Sequence, residues 1–200
     1  MAIRDPALLA TLKLDQWTTE EIEFGIKCAP ESAKLYIKSL NDELALRKRR
    51  AQAQNSFMSF VGEVWPDFIH GKHHARMAEA FEAVANGTCK RLIINIPPRM
   101  GKSSITSVAF PAWVWAQPWE GPTSGPGVQL LHASYSHALA LRDSVKCRRL
   151  IESPWYQARW GSRFKLQGDQ NTKGRFANDK NGERLITAVE ARVTGEGGSI

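Results

Sequence analysis

Apolar positions recur at helical spacing through most of the first 86 residues, then change period. Thr18 to Arg50 reads as helical, and Thr18 with Glu21 has the spacing of a capping box. Pro30 interrupts the pattern and suits the first turn of a second helix. That helix carries a stripe of Leu35, Ile37, Leu40, Leu44 and Leu46 and closes on Arg47-Lys48-Arg49-Arg50, cations of the sign a helix C-terminus favours. Residues 51–56 read as a linker. An aromatic-rich stretch follows, with Phe57, Phe60, Trp65 and Phe68. A helix is expected from about His73, its apolar face formed by Ala75, Met77, Ala78, Phe81 and Val84 and its stop by Asn86-Gly87.

From Arg91 the pattern is that of a different fold layer. Arg91–Ile96 is a short, nearly continuous apolar run with β-branched residues, as in a strand buried on both faces. Pro97-Pro98 ends it, and Gly101 opens a turn into a helix over Ser103–Ala116. A Pro/Gly loop at 117–127 leads to a second apolar strand, Val128–Ala133, and a second helix, Ser136–Ile151. Short strands at Arg184–Thr187 and Ala191–Val193 follow, after the turn signal Asp179-Lys180-Asn181-Gly182. The order strand–helix–strand–helix predicts an α/β fold with a parallel sheet. The expected organisation is a helical extension over 1–56 and an α/β domain over 57–200.

Composition narrows the class. With 42% hydrophobic and 24% charged residues in 200, the chain can bury a core. No apolar run approaches the ~18 residues needed to span a bilayer, and the N-terminus has acidic residues and no apolar h-region, which argues against a signal peptide. Cys28, Cys89 and Cys147 are odd in number and widely spaced, which suits small buried residues in a reducing cytosol better than a disulfide framework. The net charge is +7, and residues 141–200 hold 12 basic against 7 acidic residues, a surplus of five. Such a field favours polyanionic partners. Arg142, Lys146, Arg148 and Arg149 are candidate nucleic-acid contacts on one helix, against the alternative of a solvated face.

The most informative residues are Pro97-Pro98-Arg99-Met100-Gly101-Lys102-Ser103-Ser104. They follow the first expected strand and open a helix, the context of a phosphate-binding loop. Backbone N–H groups of Pro98–Ser104 and the helix N-terminus would face phosphate oxygens, proline excepted. Gly101 lets the backbone approach, Lys102 can reach the β- and γ-phosphates, and the Ser103 hydroxyl can ligate Mg²⁺. The strict pattern G-x-x-x-x-G-K-[ST] is not met, since Ile96 stands at its first glycine. The alternative is a helix-capping turn with a solvated lysine.

Leu92–Ser103 closely resembles the variant Walker A segment of tailed-phage terminase large subunits, the ATP-driven motors that package DNA into procapsids. Ala133-Ser134-Tyr135-Ser136, Glu152–Tyr156 and the run from Arg175-Phe176 to Arg192–Gly198 resemble further segments of that family, in the same order. The resemblance spans about residues 57–200. It implies a P-loop NTPase core of the additional-strand, helicase-like type, with ATP and Mg²⁺ as cofactors and Arg99 and Lys102 as catalytic residues. It also implies double-stranded DNA, a portal protein and a small terminase subunit as partners, a homo-oligomeric ring, and the host cytoplasm as location. His73 and His74 fall near the family's adenine-contacting segment, and a solvated helix start is the alternative reading.

Two departures qualify the resemblance. Ser199 stands where the family has an acidic residue, and the Walker B carboxylates and the nuclease domain are expected after Ile200. The sheet is therefore expected to be incomplete, with Leu92–Ile96 unpaired. A non-hydrolysing nucleotide- or DNA-binding module and an unrelated P-loop kinase are the competing functions.

Overall fold

The computed structural model describes residues 13–30, 33–118, 121–189 and 197–200, the side chains of 169 and 170 excepted. The chain divides into two compact units between Gln52 and Ala53.

In the first unit a short 3-10 turn, Leu14–Gln16, precedes helix α1, Thr19–Cys28. The capping box forms as its spacing implies: the Thr18 hydroxyl accepts from the Glu21 amide, and the Glu21 carboxylate accepts from the Thr18 amide. Those bonds hold the exposed Glu21 carboxyl below its ordinary pKa. Helix α2 spans Lys34–Asn55, so the expected linker at 51–56 is helical through Asn55. The basic run therefore lies inside the helix and not at its end. Arg47 there pairs with Glu43 at 2.9 Å and donates to the Leu14 carbonyl, a structural bond that the run of like charges did not suggest.

The second unit is mixed α/β. Helices α3 (Phe57–Val64) and α4 (Lys72–Ala85) lead to an extended segment at 91–97. A helical stretch follows in three parts: α5 (Lys102–Ser104), a π-helical turn (Ile105–Ala109) and α6 (Phe110–Ala116). Strand β1 (Gln129–Ser134) feeds α7 (His137–Glu152) and α8 (Pro154–Trp160), and β2 (Leu166–Asn171), β3 (Arg175–Asn178) and β4 (Glu183–Ala188) complete the order.

The sheet runs β1-β4-β3-β2. Only β1 and β4 are parallel, in register from Gln129 opposite Glu183 to Ser134 opposite Ala188, and the β2–β3 and β3–β4 pairings are antiparallel. The expected parallel sheet is thus corrected to a mixed one, because β2, β3 and β4 form a meander joined by tight turns. On the other edge of β1, Ile200 continues a ladder: Leu131 donates to its carbonyl at 2.9 Å and its own amide donates to Gln129. The strand expected at Ala191–Val193 lies outside the described residues.

Residues 91–97 pair with no strand among the described residues. Leu92, Ile94 and Ile96 pack half-buried on the core, whereas Ile93 is 91% exposed. The segment thus has strand periodicity with one face covered, and the expected two-faced burial is absent because no neighbour among the described residues covers the other.

Aromatic residues hold the core. Phe57 packs edge-on against Phe81 and Phe110, and Phe60 against Trp155. Polar atoms inside are tied to backbone: Trp113 Nε1 to the Ala53 carbonyl, Trp115 Nε1 to Val128, and the Tyr156 hydroxyl to Ala112 at 2.8 Å. Burial pushes the Tyr156 hydroxyl well above its ordinary pKa. Of the cysteines, Cys147 alone is buried, whereas Cys28 is exposed and Cys89 half-buried, so the expectation of three buried thiols holds for one.

Candidate functional site

The loop after Ile96 changes direction through two residues with positive φ, Arg99 at 65° and Gly101 at 72°. Glycine meets no Cβ penalty there, but arginine does, so Arg99 is held in a conformation that costs free energy. A Cβ on Gly101 would meet the Phe68 ring at 3.2 Å and His74 Nε2 at 3.4 Å. The loop is therefore seated against the segment between α3 and α4. His74 fastens it: Nδ1 accepts from the Gly71 amide, which leaves the proton on Nε2 to donate to the Met100 carbonyl at 3.0 Å. His74 is 6% exposed, so the solvated reading fails for it. Its neighbour His73 lies 3.8 Å away, ring to ring. Among the described residues no group of three or more His, Cys, Asp or Glu could hold a metal ion.

Helix α5 begins at Lys102 with Gly101 as its N-cap and no side-chain cap. The amides of Lys102, Ser103 and Ser104 therefore keep the donors that a helix start leaves free. Pro98, Arg99, Met100, Lys102 and Ser103 are exposed, and Ser104 is half-buried. One short turn thus brings together two cations, Arg99 and Lys102, a hydroxyl at Ser103 and the positive end of a helical stretch.

The π turn that follows is tied to the sheet. Arg184 of β4 is 1% exposed, and its Nη2 donates to the Ser107 carbonyl at 2.6 Å. A π turn within a helix recurs at functional positions, and here a buried guanidinium connects it to β4. The sequence pattern placed Phe68 in an aromatic stretch and Arg184 in a strand but gave neither a part in the site. The only signal for Arg184 was a charge within a short β-branched strand.

Arg184 also acts on His132. Burial, and then the Arg184 charge, hold the His132 imidazole below its ordinary pKa, with Asp143 opposing. A histidine kept neutral in the folded state stabilises it above the ordinary histidine range, and that contribution is lost as pH falls through the folded pKa. Unfolding midpoints measured from pH 8 to pH 5 should therefore fall on the acid side, and His132→Gln should flatten the decline. Equal slopes would remove His132 from the balance.

The four basic residues proposed on one helix do not share one face. Arg142, Lys146 and Arg149 of α7 are exposed and line a groove with Lys173. Arg148 is turned away: it donates to the Asn171 carbonyl and Oδ1 and lies 3.8 Å from Glu152. It holds α7 to β2, and Lys173 takes its place on the basic face. Arg142 also pairs with Asp143 at 3.0 Å.

No family model, curated protein or solved structure matches this chain.

Proposed function

We propose that residues 97–104 bind the phosphates of ATP and that the chain is the ATPase region of a terminase large subunit, a P-loop NTPase of the additional-strand type. The observation that carries this reading is the loop's own geometry. Two left-handed residues turn an extended apolar segment into an uncapped helix start, where Lys102 and Ser103 stand exposed. The residues present fit the group: Lys102 supplies a cation, the amides of Lys102–Ser104 supply donors, and Ser103 supplies an oxygen for Mg²⁺. Bound Mg²⁺ would neutralise phosphate charge, and Arg99 is placed in the same turn to oppose charge on the terminal phosphate.

Double-stranded DNA is the proposed polyanion for the exposed face of Arg142, Lys146 and Arg149. A portal protein, a small terminase subunit, ring assembly and the host cytoplasm come from the resemblance alone. Among the described residues no helix is long and apolar enough to cross a membrane. A non-hydrolysing nucleotide- or DNA-binding module is the second reading.

Calorimetric titration with Mg-ATP, with phosphate release followed with and without duplex DNA, tests the proposal. Saturable binding of Mg-ATP by the chain is expected. DNA-independent transfer to a small acceptor would favour a kinase, and no binding at millimolar ATP would contradict the proposal.

A further inference from the structure

A second cleft, of about 530 Å³, lies beside the phosphate loop's helix. Its walls include Trp65, Ser104, Lys146, Arg149 and Trp155, and its volume is in the range of small-molecule sites, roughly 300–1,000 Å³. Trp155 is fixed in place, edge-on to Phe60 and Trp160, with the Arg159 guanidinium 4.6 Å from its ring centre and Arg159 paired to Glu63. Lys146 and Arg149 line this cleft and also the basic groove that contains Arg142 and Lys173. A row of cations therefore runs directly into a pocket with two indole walls.

That combination is the chemistry of an unpaired nucleotide: cations along the phosphates and an aromatic face for the base. A duplex offers its phosphates to the groove but keeps its bases stacked, out of reach of a concave pocket. We infer that this face of α7 binds a single-stranded stretch of nucleic acid, with backbone phosphates on Arg142, Lys146, Arg149 and Lys173 and one base seated between Trp65 and Trp155. The inference rests on the reading of this face as a nucleic-acid surface: the cations proposed above to meet duplex phosphates also hold the single strand, and the cleft adds a seat for a base that only an unpaired strand can offer.

The test uses the 200-residue chain with a labelled oligothymidylate, a duplex of equal length, and an oligonucleotide carrying one 2-aminopurine. Binding of the single strand should quench 2-aminopurine emission. Trp65→Ala should weaken the single strand about tenfold and leave the duplex within twofold, and Trp65→Phe should restore most of the loss. Lys146→Gln, at an exposed position, should weaken both forms and lower the salt slope by about one. Single-strand affinity unchanged by Trp65→Ala, in a variant with the wild-type circular dichroism spectrum, would overturn the inference while duplex binding left the nucleic-acid reading standing. Failure of the wild-type chain to bind either form would overturn the nucleic-acid reading itself.

Discussion

Replacing Gly182 with alanine should lower the thermal unfolding midpoint by roughly 10 °C, the equivalent of about 3 kcal/mol in a chain of this size. A Cβ at that position would lie 1.9 Å from the Pro126 carbonyl oxygen and 2.5 Å from Asn178 Nδ2. The first of these is backbone and cannot swing aside. Asn178 is fully buried and ties three backbone groups: its Nδ2 donates to Pro126 at 2.8 Å, and its Oδ1 accepts from Lys180 and Gly182. Moving Pro126 away breaks that bond and leaves a buried carbonyl unpaired, at a cost of about 1–3 kcal/mol. Overpacking adds a cost of similar size. The same turn sets the register of β3 against β4, so the damage reaches the strand that carries Arg184. Differential scanning calorimetry checks the prediction, and a midpoint within 2 °C of the wild type would remove Asn178 and Gly182 from their assigned role.

Lys102→Ala should weaken Mg-ATP binding by about a hundredfold, since a charge-assisted bond to phosphate contributes up to roughly 3 kcal/mol. Lys102 is exposed at the start of α5, so its removal leaves the core intact and the unfolding midpoint should not change. Arg99→Ala should act differently. Arg99 sits at positive φ, a conformation that alanine tolerates no better, so the loop is no less strained while the cation is lost. Binding should stay within a few-fold, and any ATP turnover should fall much further. Equal affinities for wild type and Lys102→Ala would place the phosphates elsewhere.

The sequence carried the local elements whose signals are short-range. The capping box at Thr18 and Glu21, helix α7, and the turn at Asp179–Gly182 each depend on residues a few positions apart, and each forms. The turn into a helix at Gly101 was legible for the same reason: Gly101 and the helix after it are consecutive. Contacts over long sequence separation were hidden. His74 clamps Met100 across 26 positions, and Arg184 reaches Ser107 across 77. Neither has a local pattern, because a buried polar side chain is chosen by the partner the fold brings to it. The apolar run at Leu92–Ile96 misled in another way. Its composition fits a strand covered on both faces, but periodicity cannot supply the neighbouring strands, and here one face stays open. The basic helix was read by composition, which could not separate Arg148, turned toward Asn171, from the three cations that face outward.

Phosphate oxygens are proposed to meet the backbone at Gly101–Ser104. Amide NMR spectra of the ¹⁵N-labelled chain titrated with Mg-ATP test it most directly. The largest shifts are expected on the amides of Gly101, Lys102, Ser103 and Ser104, and they should vanish in Lys102→Ala. Shifts confined to other residues, with those four amides unmoved at saturating nucleotide, would contradict it.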